Sequence, residues 1–384
     1  MKILIAPMAA MAETSGPSSR CRLLAEGFRR EGFDVATCMA KDVNYKLIDG
    51  IPNYHLEVPM PLGLPKIIAT RAFPVAQKTG LVSRKTVKSF DQVLHLTGNL
   101  DYRYLKASVS SLRTAMQEYK PDIVYSEFNL SAFIAAKKEG ITLYTTVSYP
   151  TQYEYSHQKG FEKGMNRLLE ELDLPRFPSP LCLFDWADKS FCMSIRELEP
   201  FKKPDIVYCG TLKKVSEINE SSGRKNKIVI YMGNGTVSAK ETMKVAEEAY
   251  KNSGYEVYIA SGYLKEGTYG NVHVAQRWNF DQLLKEAVLF INHGGQNSIV
   301  DGLLYGVPQI IVPGKVFERK YNAQCILSNK AGEVLMQREF NADRLRNLTD
   351  SIMNQSELPE NAASLGRKLL EAGGLGYIIN EVKR

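Results

Sequence analysis

The chain has 384 residues, 44% apolar and 24% charged, with a net charge of +7. That length admits two or three domains and a large core held without disulfides or a structural metal. The charge excess is mild and has no dense Lys/Arg stripe, which argues against a dedicated nucleic-acid binder and fits an anionic ligand, with peripheral membrane contact left open. Six cysteines show no C-x-x-C spacing and no paired histidines, so a zinc site is not expected and a reducing cytoplasm is. No run approaches the roughly 18 apolar residues of a membrane-crossing helix.

The first segment, "KILIAP", precedes an Ala-Met-Ala before Glu13 and so imitates a signal peptide. Its positive region is a single lysine and Pro7 interrupts the apolar run, so a buried first strand is the better account. A helix from Ser18 to Glu31 follows, stopped by Gly32, and then the strand "DVATCM". Residues 45–106 break the alternation and are rich in Pro, Tyr, Leu and basic residues, as pocket-shaping insertions are. The alternation resumes with "PDIVYSEF", a helix from Ser131 to Glu139, Gly140, "ITLYTTVS", "KSFCMSI" and "DIVYCG". A polar stretch with Ser-Ser-Gly reads as an interdomain linker. Beyond it come "KIVIYMG", a helix from about Val237 to Asn252, "YEVYIAS", "NVHVAQ", the helix "DQLLKEA", "VLFINHGG", a helix over 297–305, "PQIIVPG" and a helix from about Arg319 to Lys330. Continuous apolar strands alternating with helices predict parallel sheets covered on both faces. The expectation is an α/β protein of two Rossmann-like domains facing across a cleft. Their limits are 1–208, a linker at 209–227, 228–366, and a tail at 367–384 packing back on the first domain.

Residues 288–314, "VLFINHGGQNSIVDGLLYGVPQIIVPG", concentrate the chemistry. His293 stands at a strand's carboxyl end, where doubly wound sheets bind ligands. Gly294 and Gly295 admit close backbone approach. Gln296, Asn297 and Ser298 occupy the first turn of the next helix, where free N–H groups and the helix dipole favour an anion. Asp301, one turn on, suits a ribose hydroxyl. The segment reads as a phosphate cradle with a ribose hook. "YMGNGTVS" is a second strand–glycine turn–helix, whose Gly233, Gly235 and Thr236 close on the same diphosphate if the turn is more than a turn. Trp278, one of two tryptophans, is either a base-stacking platform or core.

These residues resemble a family. "HGGQNSIVDGLLYGVPQIIVP" is similar to the donor-binding signature of GT-B fold inverting glycosyltransferases, in the UDP-glycosyltransferase group that includes macrolide glycosyltransferases: His-x-Gly-x-x-Ser, an acidic residue, then Gly-Val-Pro. The likeness runs through "ERKYNAQ". In the first half it is an outline only: a first strand, a Gly-containing loop, "AEGFRREGFDV" against the family's Gly-His-Glu-Val ending, and "FCMSI" to "DIVYCG" before the linker. The resemblance implies sugar transfer from a nucleotide sugar, a UDP-sugar foremost, with no metal and no cofactor beyond that co-substrate. It implies that His293 and Ser298 contact the diphosphate, that Gly295 and Asn297 complete that loop, and that Asp301 holds the ribose and Trp278 packs on the base.

Two departures from the pattern matter. Glu318–Arg319 replaces an Asp-Gln pair that binds donor-sugar hydroxyls in the family; Arg319 brings a fixed positive fork, so a sugar with a carboxylate or N-acetyl group is expected rather than plain glucose. The family's catalytic histidine, counted back fifteen residues from Gly32, falls on Pro17 after Gly16, and no histidine precedes His55. A neutral hydroxyl acceptor needs a base in reach. Glu13 and Glu127 are the candidates, with Gly16 and Ser18 lining the acceptor. Three functions stay open: a glycosyltransferase, a non-catalytic nucleotide-sugar-binding protein on the same fold, and a nucleotide-sugar epimerase.

Overall fold

A computed structural model describes residues 1–11, 16–64, 86–213, 226–233 and 236–384. They form two compact units, one from residues 1–64, 88–212 and 372–384, the other from residues 86–87 and 213–371.

In the first unit the order is β1 (Lys2–Pro7), α1 (Gly16–Arg30), β2 (Asp34–Thr37), α2 (Phe90–Leu96), α3 (Tyr102–Tyr119), β3 (Ile123–Glu127), α4 (Leu130–Glu139), β4 (Thr142–Val147), α5 (Lys163–Glu171), β5 (Lys189–Cys192) and β6 (Ile206–Tyr208). The sheet runs β2-β1-β3-β4-β5-β6, with every pair parallel. Local chemistry sets the boundaries. Asp101 caps α3 by accepting from the Arg103 and Tyr104 N–H groups, and Asn129 caps α4 by accepting from Ser131. Gly140, at φ 67°, ends α4 in the left-handed region. Helix α1 begins at Gly16, two residues before the apolar spacing predicts.

The second unit holds β7 (Lys227–Tyr231), α6 (Ala239–Tyr250), β8 (Glu256–Ala260), β9 (Gly267–Tyr269), β10 (Val272–Ala275), α7 (Phe280–Lys285), β11 (Ala287–Asn292), α8 (Gln296–Leu304), β12 (Gln309–Ile311), α9 (Phe317–Ser328), β13 (Gly332–Val334), α10 (Ala342–Met353) and α11 (Glu357–Glu371). Its sheet runs β13-β12-β11-β7-β8-β10-β9, parallel except for β9, which pairs antiparallel with β10. Ile228, Ile230, Leu289, Ile291 and Ile310 pack into one core, while Val229, Phe290 and Ile311 on the opposite face are equally buried. Burial on both faces is what a parallel sheet between helix layers requires. The two Rossmann-like parallel sheets match the fold class expected from the sequence.

The differences are local. Strand β9 lies in a polar stretch with all three residues exposed and carries no apolar signal. Residues 45–106 hold α2 and the start of α3 rather than irregular chain alone. Helix α9 starts at Phe317, so Glu318 and Arg319 sit inside its first turn rather than ahead of it. The last helix, α12 (Gly374–Lys383), belongs to the first unit: the Gly374 N–H donates to the Cys209 carbonyl, and Ile378 and Val382 join that unit's core.

Candidate functional site

The second sheet changes winding direction between β7 and β11, which are parallel neighbours from which the chain proceeds to opposite edges. A crevice opens at such a point beyond the carboxyl ends of the strands. Tyr231 and Asn292 are partners in register there, followed by Met232–Gly233 on one side and His293–Gly294–Gly295 on the other.

Glycine is demanded by contact as well as by conformation. Gly294 has φ 81°, and a Cβ on it would lie 2.8 Å from Ile311 Cγ2 and 3.0 Å from the Arg319 carbonyl oxygen. A Cβ on Gly295 would lie 2.6 Å from His293 Nε2. The imidazole therefore rests directly over the N-cap of α8. No side chain caps that helix, which leaves the first-turn N–H groups at Gln296, Asn297 and Ser298 as donors for a ligand. Ser298 is buried, Gln296 half-buried and Asn297 exposed.

A buried amide chain holds the turn in place. Asn292 Oδ1 accepts from the Gly294 N–H at 2.8 Å, and its amide nitrogen donates to Gln309 Oε1 at 2.8 Å. Gln309 donates onward to the Ile299 carbonyl in α8 at 3.0 Å. Asn322 of α9 donates to the Gly294 carbonyl at 2.8 Å. Each polar group buried here has a partner, as buried amides require. Sequence reasoning missed these three residues, although a lone Asn ending "VLFIN" and a lone Gln in "PQIIVP" were a signal: polar residues inside fully buried strands need a reason.

Electrostatics favour an anion. His293 is pushed down to about 4, first by burial and then by the Arg319 charge, so it is neutral at pH 7. Its Nδ1 lies 3.3 Å from the Tyr231 carbonyl oxygen, which can only accept; Nδ1 carries the proton and Nε2 points its lone pair over the helix N-cap. Arg319 donates from Nη1 to Thr236 Oγ1 at 2.9 Å, linking α9 to the turn after β7. Among the described residues no carboxylate pairs with Arg319 within ion-pair distance, and burial lowers its proton affinity. Glu318 is half-buried in the same turn and interacts electrostatically with Arg319. Gly233 packs its backbone against the His293 ring, while Gly235 lies outside the described residues.

Asp301 and Trp278 are both already engaged. Asp301 Oδ1 is 2.7 Å from Lys213 Nζ. Trp278 donates its indole N–H to the Ile259 carbonyl at 3.0 Å and sets its ring edge-on to Tyr258, with centroids 5.3 Å apart. The ring is half-buried and fixed ahead of α7.

The first unit has its own switch point, between β1 and β3, where Pro7 is in register with Glu127. Glu13 lies outside the described residues. Gly16, Pro17 and Ser18 form the first turn of α1. Glu127 is fully buried; Arg20 Nε donates to its Oε2 at 2.8 Å and Thr146 Oγ1 donates to its Oε1. Burial nonetheless holds its proton affinity above the usual carboxylate range, with Arg20 and Thr146 opposing. The Arg20 partnership spans 107 residues and left no local mark in the sequence.

Residues 264–372 match the family model for the C-terminal domain of erythromycin biosynthesis protein CIII-like proteins. NDP-glycosyltransferase YjiC of Bacillus subtilis is 23% identical over 308 residues, covering 73% of this chain and 77% of the relative. The calicheamicin glycosyltransferase CalG4 superposes with a TM-score of 0.73 at 16% identity, over 100% of this chain and 97% of the other. The spinosyn rhamnosyltransferase SpnG complexed with thymidine diphosphate gives 0.71 at 12% identity, over 100% of each chain. The chain thus has the GT-B fold of these structures, and its residues 264–372 and its curated relatives make it similar to glycosyltransferases of the macrolide type.

Proposed function

We propose that this protein moves a sugar from a nucleotide-sugar donor, a UDP-sugar foremost, onto a small-molecule or lipid acceptor with inversion at the anomeric carbon. The observation that carries the reading is the β7–β11 crevice, where an uncapped helix N-terminus and an arginine with no carboxylate at ion-pair distance among the described residues converge beside the His293 imidazole. A diphosphate supplies the missing charge; thymidine diphosphate on SpnG is a ligand of that chemistry. In the reaction the acceptor oxygen attacks the anomeric carbon from the face opposite the diphosphate. The new C–O bond forms as the bond to phosphate oxygen breaks, and its electron pair leaves with the diphosphate. Arg319 and the α8 N-terminus stabilise that developing charge, so the reading uses no metal. Arg319, at the start of α9, also reads the sugar.

The acceptor's proton goes to a carboxylate. We assign it to Glu13, because both Glu127 oxygens are held by Arg20 and Thr146. We assign the reaction to the cytoplasm, where six free cysteines stay reduced; among the described residues no helix is long and apolar enough to cross a membrane.

A second reading, a nucleotide-sugar-binding protein without turnover, is favoured by Pro17 at the family's histidine position and by the pairing of Glu127. The test is a thermal-shift panel of nucleotide diphosphates and UDP-sugars, followed by an acceptor screen with the best stabiliser. Transfer to an acceptor, or slow donor hydrolysis, supports the enzyme. Tight donor binding with neither supports the second reading. Conversion of the donor without an acceptor points to an epimerase, and no stabilisation by any nucleotide overturns the donor site.

A further inference from the structure

Lys213 stands at the head of the second unit, in a stretch that reads as linker. Its Nζ lies 2.7 Å from Asp281 Oδ1 and 2.7 Å from Asp301 Oδ1. Asp281 is in the first turn of α7, just after Trp278, and Asp301 is one turn beyond Ser298 in α8. One ammonium thus ties together the two helices that carry the nucleoside half of the donor site. The side chains of Lys213 and Asp301 are only 30% and 17% exposed, so the pair is shielded from bulk screening. Among the described residues Asp301 Oδ2 has no hydrogen-bond partner.

We propose that Lys213 is a donor-positioning residue: it holds Asp301 through Oδ1 and presents Oδ2 to a hydroxyl of the donor's ribose. The inference rests on the reading of Asp301 as the ribose acceptor. A carboxylate has two oxygens and about four acceptor sites, so one lysine orients it without exhausting it. Its value to a hydroxyl depends on ionisation, because a charge-assisted bond is roughly twice as strong as a neutral one. Three charged or titratable groups face Asp301: Lys213, Asp281 and the Tyr305 phenol at the end of α8. Burial is the largest influence and favours the protonated acid, Asp281 acts in the same direction, and Lys213 opposes both. Without Lys213, Asp301 faces a second carboxylate with no cation of its own among the described residues, and takes up a proton at higher pH.

The experiment measures binding of UDP, 2′-deoxy-UDP and 3′-deoxy-UDP to the full chain by calorimetry, at mildly acidic and mildly alkaline pH. The wild type should prefer UDP over at least one deoxy form by about tenfold or more at both pH values. In Lys213→Met the preference should collapse at acidic pH and partly return at alkaline pH, while Lys213→Arg keeps it. A Lys213→Met variant with the wild-type preference at both pH values overturns the proposal. Asp301→Asn should lose the preference throughout; if it does not, the ribose reading itself fails, independently of Lys213. Circular dichroism checks folding, and Lys213→Gln carries the same expectation should the methionine variant not fold.

Discussion

The two units share a winding but finish their switch points in opposite ways. At β7–β11 the crevice ends in glycines, an uncapped helix and Arg319, which has no carboxylate at ion-pair distance among the described residues. At β1–β3 the equivalent arginine, Arg20, is met by a buried carboxylate and lies over the Phe128 ring at 5.4 Å. A buried cation left unpaired costs stability until an anion arrives, which is the property of a binding site. One paired internally is settled when the chain folds and offers a ligand less. Topology chose the place in both units; the side chains decided which place is left open to an anion.

The largest expected effect tests whether the loop after β1 supplies chemistry at all. Glu13→Gln should lower turnover by about 10²–10⁴-fold with UDP affinity unchanged, as removal of a general base does. Unaltered turnover would shift the role to Glu127, with Glu127→Gln the next variant. Next in size, Arg20→Met strands the buried Glu127 charge and should lower stability by about 3 kcal/mol, the lower end for a broken buried pair because Arg20 keeps 21% of its side chain exposed. Urea unfolding followed by circular dichroism measures it, and adding Glu127→Leu should recover most of the loss. If the single variant is as stable as wild type, the contrast between the two switch points is not energetic.

At the open crevice, His293→Ala should weaken UDP binding by about 1.5–3 kcal/mol, the range for a hydrogen bond to a charged group. A pH dependence sharpens this. Free His293 holds its proton only near pH 4, but a diphosphate beside Nε2 favours the imidazolium, so the complex binds more protons than the free protein. UDP affinity should therefore rise as pH falls from neutral toward the free value, with proton uptake seen as buffer-dependent calorimetric heats. His293→Ala should flatten the slope; a slope that survives it belongs to another group. The smallest effect concerns the sugar: Arg319→Gln should reorder UDP-glucose, UDP-glucuronate and UDP-N-acetylglucosamine as donors, and an unmoved ranking would confine Arg319 to the diphosphate.

What the sequence disclosed follows from the range of the forces involved. Strands such as "KIVIY" and "VLFIN" are legible because burial on both faces makes them continuous apolar runs. The turn from His293 to Ser298 is legible because a strand–glycine–helix junction is written in adjacent residues. Lys213 was not: it sits among polar residues that read as linker, and its partners are supplied by helices far along the chain. Arg20 and Glu127 look like a surface arginine and a strand-end acid until β1 and β3 are laid side by side. Strand β9, exposed throughout, leaves no periodicity to find.

Helix α12 bears on how the molecule is made. Its Leu375 packs against Gly27 of α1, its Glu381 meets Lys189 of β5 at 3.3 Å, and Ile378 is fully buried in the core built around β1 and β3. The first unit thus starts before the second in the chain but is finished after it. Its core keeps an apolar gap throughout synthesis of residues 213–371, which can meanwhile fold on their own contacts. A nascent chain stalled just before α12 should present a structured second unit and a first unit still open to chaperones and proteases. Emergence of α12 is then the event that closes it.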